Sequence, residues 1–231
     1  MRVAVLGITD RPATYYVTKA LIEAGARPAQ LILDNRPSRP KDIEIWQART
    51  DGRLPGGDLI ALGVPAIGVP GHTGAWLTTY LSQFDLIVSA ATTGICSNEL
   101  LKSPRIGVLN VHPGMLPNYR GATCVEWAIY NDDQVCNTVH FMTDKIDEGP
   151  IVRRESYTFP KNATYVDVRV TVLSEGYKLL ADAVRNIIDH DYSMADAEQQ
   201  GAGTFHKPIP PDKMLAVLSK LEAGQYRYQF D

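Results

Sequence analysis

The apolar positions of this 231-residue chain fall mostly into short runs, separated by stretches with a helical period. The runs "RVAVLGI" (2–8) and "DLIVSAA" (85–91) are nearly continuous, as strands covered on both faces should be. "AQLILD" (29–34), "AIGVP" (66–70) and "IGVLNV" (106–111) add three more predicted strands. Between the first two strands, Val17, Leu21 and Ala24 mark the inner face of a helix. Asp10 is placed to cap that helix, Pro12 falls in its first turn, and Gly25 lies just past its end. A β–α–β opening of this kind predicts a parallel pair joined by a right-handed crossover. Further helices are predicted over residues 74–84, 97–104 (capped by Ser97 or Asn98), 125–132 and, longest, 163–189. "NTVHFMT" (137–143) and "IVRRESYTF" (151–159) flank "DKIDEGP", which predicts an antiparallel hairpin at the sheet edge. Residues 34–58 are polar and rich in Pro, Gly and Arg, a long excursion with a short helix around "DIEIWQAR". The pattern predicts one α/β domain over 1–190, its mostly parallel sheet flanked by helices. A short C-terminal extension, 191–231, carries one small helix.

Composition narrows the class. Hydrophobic residues make up 45% and charged residues 21%, an ordinary globular balance. A net charge of −3 and a pI of about 6.0 build in no general attraction to nucleic acid, leaving only a local basic patch open. Cys96, Cys124 and Cys136 lack zinc spacing and point to a reducing compartment rather than a disulfide framework. The N-terminal run is too short for a secretory signal, and no run reaches the roughly 20 apolar residues that span a bilayer. The expectation is a cytoplasmic chain without membrane contact.

The candidate chemistry lies in "GVLNVHPGMLPNYRGA" (107–122), which sets Asn110 and His112 at the tip of a strand that otherwise reads as buried. Alternation puts both side chains on one face, and Pro113 and Gly114 stop the strand there. Ligands of open parallel sheets bind beyond the carboxyl ends of the strands. An amide in that place can donate to an oxygen that gains charge, worth about 2.7–4 kcal/mol of barrier. An imidazole can move a proton near neutral pH, worth roughly 10²–10⁴ in rate. The alternative is a strand end whose polar groups satisfy loop carbonyls. A carboxylate is the natural third member. "DKIDEGPIV" offers Asp144, Asp147 and Glu148, and the Glu-Gly-Pro reversal could turn Asp147 inward. His72 and His140 have no ligand spacing, so no metal is expected. His140 reads as a sheet-face residue and Cys124 as a buried thiol.

Taken with "TVHFMTDKIDEGPIV" downstream, "NVHPGMLPNYRGATCVEWAI" resembles the folate-dependent formyltransferase family. That family includes the glycinamide ribonucleotide, methionyl-tRNA and sugar-nucleotide N-formyltransferases and the formyltetrahydrofolate hydrolases. Its pattern is Asn-x-His, Leu-Pro-x-x-Arg-Gly and, about 35 residues on, Asp-x-Gly. Here these are Asn110-Val111-His112, Leu116 through Gly121, and Asp147-Glu148-Gly149. The match is firm over about residues 85–152 and looser from the N-terminus. The resemblance implies a Rossmann-like domain that uses 10-formyltetrahydrofolate as co-substrate. Asn110 and His112 would stabilise the oxygen on the attacked formyl carbon and manage the proton. Asp147 would hold the imidazole or a water and help strip the acceptor amine. By the same analogy the pterin ring meets the backbone of 89–95 and 142–147. That makes Ala90, Ala91, Thr92, Ile95, Met142, Thr143 and Asp144 the cofactor-binding residues.

Departures from particular family members narrow the acceptor. The loop after the first strand, "GITDRPATYY", has Gly7 as its only glycine, unlike the Gly/Ser-rich phosphate loop of the glycinamide ribonucleotide enzymes. It also lacks the Gly-x-Gly-x-x-Gly of a dinucleotide site. Little chain follows the long helix beside the C-terminal barrel of methionyl-tRNA enzymes, and nothing like the hydrolases' N-terminal domain precedes residue 2. By elimination the expected acceptor is a small amine, a nucleotide-linked amino sugar. Arg11, Arg36 and Arg39 are candidates to meet its phosphates, with a solvated loop the alternative for Arg36 and Arg39, and Arg120 beside Tyr119 in the motif is placed to bind it or to hold the loop that carries His112. The alternatives are an aminoacyl-tRNA acceptor, water as acceptor, or a non-catalytic folate- or nucleotide-binding module. No nucleic-acid partner is expected. The aromatic run 225–230 is expected to pack the tail, the alternatives being to stack on a base or join a homodimer.

Overall fold

The computed structural model describes every residue except Thr93 and Ile95. Its main sheet holds five parallel strands, β1 (Val3–Ile8), β2 (Gln30–Asp34), β3 (Ala66–Val69), β4 (Leu86–Ser89) and β5 (Gly107–His112). A two-residue strand, β6 (Arg120–Gly121), lies outside this sheet. Two more, β7 (Cys136–Phe141) and β8 (Ile151–Ser156), complete the sheet in the order β3-β2-β1-β4-β5-β7-β8. The predicted hairpin is present. The antiparallel region is wider than a hairpin, because β7 also runs antiparallel to β5. Strand order reverses between β1 and β4, and crevices open at such switch points.

Among the described residues there are seven α-helices: α1 (Pro12–Glu23), α2 (Pro40–Thr50), α3 (Ala75–Leu81), α4 (Asn98–Leu101), α5 (Cys124–Tyr130), α6 (Tyr165–His190) and α7 (Pro211–Glu222). Helix α1 starts at Pro12 as expected, but Asp10 does not cap it. The Asp10 carboxylate instead accepts from the Ser38 backbone N–H and hydroxyl, at 2.8 and 2.6 Å, and so ties the 34–58 excursion to the β1–α1 turn. Thr14 fills the turn, its hydroxyl donating to the Ile8 carbonyl and accepting the Ile8 N–H. Ser97 caps α4 by accepting from Leu100 N. Thr164 and Asp167 form a reciprocal capping box that starts α6.

One core packs α1 and α6 on the sheet, around Val5, Leu21, Leu31, Leu180 and Val184. Another lies under α3 and α4, around Leu6, Ile32, Leu77, Ile87 and Leu100. A third joins α5, the start of α6 and the C-terminal segment, with Val125, Val172, Val217, Leu221 and Tyr226 in contact. Residues 191–231 are held by this core and by two short parallel pairings. These pair β10 (Phe205–His206) with β6, and β11 (Gln229–Phe230) with β9 (Phe159–Pro160). Between α5 and α6, the buried carboxylate of Glu126 accepts from the Tyr165 hydroxyl. It also faces the Arg169 guanidinium at 3.6 Å and Arg49 of α2 at 3.8 Å. Among the described residues, no helix is long and apolar enough to cross a membrane. Nor is any group of three or more His, Cys, Asp or Glu side chains placed to hold a metal ion.

Candidate active site

Strand β5 ends at His112 and presents Asn110 and His112 on one face. Because β7 returns antiparallel beside it, Asn110 stands directly opposite His140, and His112 opposite Thr138. Cross-strand partners share a face, so three of these four side chains bring an amide and two imidazoles to one spot. The β7–β8 register slips at Val139/His140, where Val152 of β8 is left without a β7 partner.

Asp147 enters from the turn between β7 and β8, in a left-handed conformation with φ of 56°. Two contacts hold the turn. The Asp147 carboxylate accepts the Gly121 N–H of β6 at 2.8 Å. From the C-terminal segment, the Gln200 amide donates to the Asp147 and Gly149 carbonyls at 3.0 and 2.6 Å. Asp147 Oδ2 then lies 3.4 Å from His112 Nδ1, and Oδ1 lies 3.7 Å from His140 Nε2. Asn110 Nδ2 is 3.3 Å from the same His140 nitrogen.

The opposite ring nitrogens assign the tautomers. His112 Nε2 is 2.6 Å from the Tyr119 carbonyl, and His140 Nδ1 is 2.9 Å from the Phe141 carbonyl. A carbonyl only accepts, so those nitrogens carry the hydrogens and both rings turn lone pairs toward Asp147. Burial pushes the pKa of His112 below the ordinary histidine value, against the pull of the Asp147 charge. Burial also pushes His140 down, with His112 adding to the effect and Asp147 opposing it. Two neutral proton acceptors and a carboxylate therefore surround one gap, with an amide donor beside it. This set can take a proton and hold an oxygen that gains charge.

The gap opens into a cavity of about 230 Å³ walled by Leu101, Met142, Ile146 and Cys96, with Asn110, His140, Thr143, Asp144 and Asp147 at its polar side. A larger cavity of about 510 Å³ lies beyond the ends of β1, β2 and β4, lined by Arg11, Arg36, Arg39, Ser38 and Asp42. Arg11 is oriented there by Ser38 at 2.7 Å and Asp42 at 2.5 Å. Arg36 is oriented by the buried carboxylate of Asp34 at 2.7 Å.

Met142, Thr143 and Asp144 share the smaller cavity with Asn110 and Asp147. Ala91 and Thr92 do not: they line the arginine cavity. Ala90 lines neither, and packs half-buried against the main core with its N–H on the Leu6 carbonyl. Ile95 falls outside the described residues. Arg11 lines the larger cavity, whereas Tyr119 and Arg120 turn their polar atoms to the protein. Arg120 is 8% exposed, and its guanidinium donates to the Gln200 side chain and the Gly201 carbonyl, both at 2.9 Å. Tyr119 is 5% exposed, with its hydroxyl on Asp133 and its ring stacked 4.9 Å from that of His206. Both hold the loop and tail that carry the site. Sequence reasoning passed over His140 and Gln200. The signal for His140 was its place on a strand two residues before Met142, but only the pairing with β5 reveals its partner. Gln200 carries no local signal.

A family model described as formyl transferase matches residues 78–184. Among curated proteins, the methionyl-tRNA formyltransferase of Clostridium tetani is 27% identical over 140 residues, covering 60% of this chain and 44% of that protein. The chain spans less than half the length of the first curated relatives it matches. A sugar N-formyltransferase from Shewanella sp FDAARGOS_354 superposes with a TM-score of 0.61 at 19% identity, covering 90% of this chain and 77% of that one. PseJ, a formyltransferase of Anoxybacillus kamchatkensis solved with UDP-4,6-dideoxy-4-formamido-L-AltNAc and tetrahydrofolate, superposes with a TM-score of 0.57 at 14% identity over 98% of this chain and 100% of that one.

Proposed function

We propose that the chain is a formyl transferase and that it moves a formyl group from 10-formyltetrahydrofolate to the amino group of a small acceptor, a nucleotide-linked amino sugar. The single observation that carries the reading is the meeting of Asn110, His112, His140 and Asp147, of which Asn110, His140 and Asp147 line a ring-sized cavity.

The residues present fit the co-substrate. A cavity of about 230 Å³ is smaller than the roughly 300–1,000 Å³ that encloses a drug-sized ligand, so it takes the flat ring and leaves the remainder outside. Leu101, Met142 and Ile146 provide apolar contact for the ring, and the 142–147 turn provides polar groups at its edge. When bound, the co-substrate supplies a formyl carbon open to attack by an amine. Asn110 donates an N–H to the formyl oxygen as charge builds on it. His112 Nδ1 and the Asp147 carboxylate form the acceptor pair for the proton the amine loses. Burial keeps His112 neutral, and therefore able to accept, at neutral pH.

The arginine cavity supports the acceptor class. It lies beyond the carboxyl ends of β1, β2 and β4, its volume of about 510 Å³ suits a sugar carrying phosphate, and Arg11, Arg36 and Arg39 bring three guanidinium groups to it, each held by Asp34 or Asp42. The PseJ complex supports a nucleotide-linked sugar through likeness of fold. Cys96, Cys124 and Cys136 are free thiols, in keeping with a reducing, cytoplasmic setting.

The test is to incubate the protein with 10-formyltetrahydrofolate and follow tetrahydrofolate by absorbance. Nucleotide-linked amino sugars, aminoacylated initiator tRNA and buffer are supplied in turn, and products are read by mass. The expected result is tetrahydrofolate formation and formyl mass gain only with an amino sugar. Asn110→Ala, His112→Ala and Asp147→Ala should each slow it by orders of magnitude. Turnover in buffer alone identifies a hydrolase, and formylation of the tRNA alone replaces the acceptor with the one named for the curated relatives.

A further inference from the structure

An asparagine amide fits its density of contacts either way round, and only one way aims an N–H at the reacting oxygen. Nothing in the backbone of β5 selects between the two directions for Asn110. The contact that does so is with its cross-strand partner, His140, whose Nε2 lies 3.3 Å from Asn110 Nδ2. The other nitrogen of that ring, Nδ1, donates to the Phe141 carbonyl at 2.9 Å, so in the neutral ring Nε2 carries the lone pair. A flipped Asn110 amide would set the Oδ1 lone pairs against that nitrogen. Asp147 Oδ1, 3.7 Å from Nε2, is also an acceptor and cannot replace the amide as its donor.

We infer that His140 is a positioning residue for the formyl transfer proposed above, acting through the direction of the Asn110 amide. With one Nδ2–H held by His140, the second points into the cavity that Asn110 and His140 both line. The chain of constraint runs from the Phe141 carbonyl to the His140 tautomer, from the tautomer to the amide, and from the amide to the oxygen. His140 itself need touch neither substrate.

The inference rests on the proposed activity for its kinetic consequence but not for its geometry, and the two are tested separately. Nitrogen NMR of the ¹⁵N-labelled full-length chain at neutral pH, with the His140 signals identified by their loss in His140→Gln, reads the tautomer directly. The expected ring is protonated on Nδ1 only. A ring protonated on Nε2 overturns the inference. In kinetics, H140Q retains an acceptor for the amide, whereas H140L does not. H140L should lose about 10² in kcat, comparable to an oxyanion donor, with KM for 10-formyltetrahydrofolate within about threefold of wild type. H140Q should recover kcat to within about tenfold. Equal losses in the two folded variants, or a loss confined to KM, overturn the inference. Melting curves establish folding, and should H140L not fold, the tautomer and the H140Q kinetics still decide. A wild-type chain that transfers no formyl group overturns the proposed function, and the NMR arm alone then decides the direction of the amide.

Discussion

Gly149 closes the Asp-Glu-Gly turn, and the structure says why the position takes no side chain. A Cβ built there would lie 1.7 Å from the Phe141 carbonyl oxygen, 2.8 Å from its carbon and 3.2 Å from Thr143 Cγ2. The two closest atoms are backbone of β7, a strand paired on both sides, and cannot swing aside. Reaching even 3.0 Å requires the turn to withdraw by more than about 1 Å. The strained atom matters, because the Phe141 carbonyl also holds His140 Nδ1, and Asp147 sits two residues before Gly149 on the withdrawing turn. Overpacking of this kind costs about 1–3 kcal/mol of stability. A catalytic group misplaced by about 1 Å costs on the order of 10² in rate. Gly149→Ala should therefore fold with a melting temperature lower by several degrees and show kcat/KM down about 10²-fold in the tetrahydrofolate absorbance assay. Gly201→Ala is the control. It lies in the same C-terminal stretch that braces the turn, but its added Cβ meets nothing within 4 Å, so both quantities should hold within about twofold of wild type. A Gly149→Ala protein with wild-type melting and kcat/KM within about threefold would refute the claim that backbone contact at Gly149 sets the position of Asp147.

Two further predictions concern stability. His72, His112 and His140 are each pushed below the ordinary histidine value, burial being the largest cause, so the unfolded chain binds protons that the folded chain refuses. Their contribution is whole above the unfolded value of about 6.5 and is lost as pH falls through the folded values. Melting temperature should thus drop between about pH 7 and pH 5, and a flat calorimetric profile over that range would contradict the assignment. Arg169→Met strands the Glu126 carboxylate, which is 1% exposed and keeps only Arg49 at 3.8 Å as a cation partner. Urea unfolding should show a loss of about 3–5 kcal/mol, much of it restored by adding Glu126→Gln. A loss under about 1 kcal/mol would mean that the pair contributes no more than an exposed one.

Much of the molecule is local and so can be read from the chain. The apolar runs located β1, β2 and β4, since a strand buried on both faces must be apolar throughout wherever it lies in a sheet, while β7 and β8 were read from the hairpin they flank. The strand-end placement of Asn110 and His112 followed from alternation and from Pro113. Resemblance to the formyltransferase pattern, through its Asp-x-Gly element, singled out Asp147 among Asp144, Asp147 and Glu148. What the chain alone could not decide is which distant segments meet. His140 looks like any sheet-face residue until β7 is laid antiparallel against β5 in the register that sets it opposite Asn110. Gln200 braces Asp147 across more than fifty residues of intervening chain. Arg120 and Tyr119 carry the chemistry expected of ligand contacts, yet burial against the tail commits their polar atoms to protein. Ala91 and Thr92 leave β4 on the side of the arginine cavity, at a reversal of strand order that no local pattern encodes. Periodicity depends on the backbone of each segment and is written residue by residue. Register and partnership arise from packing between segments, and they exist only once the sheet has closed.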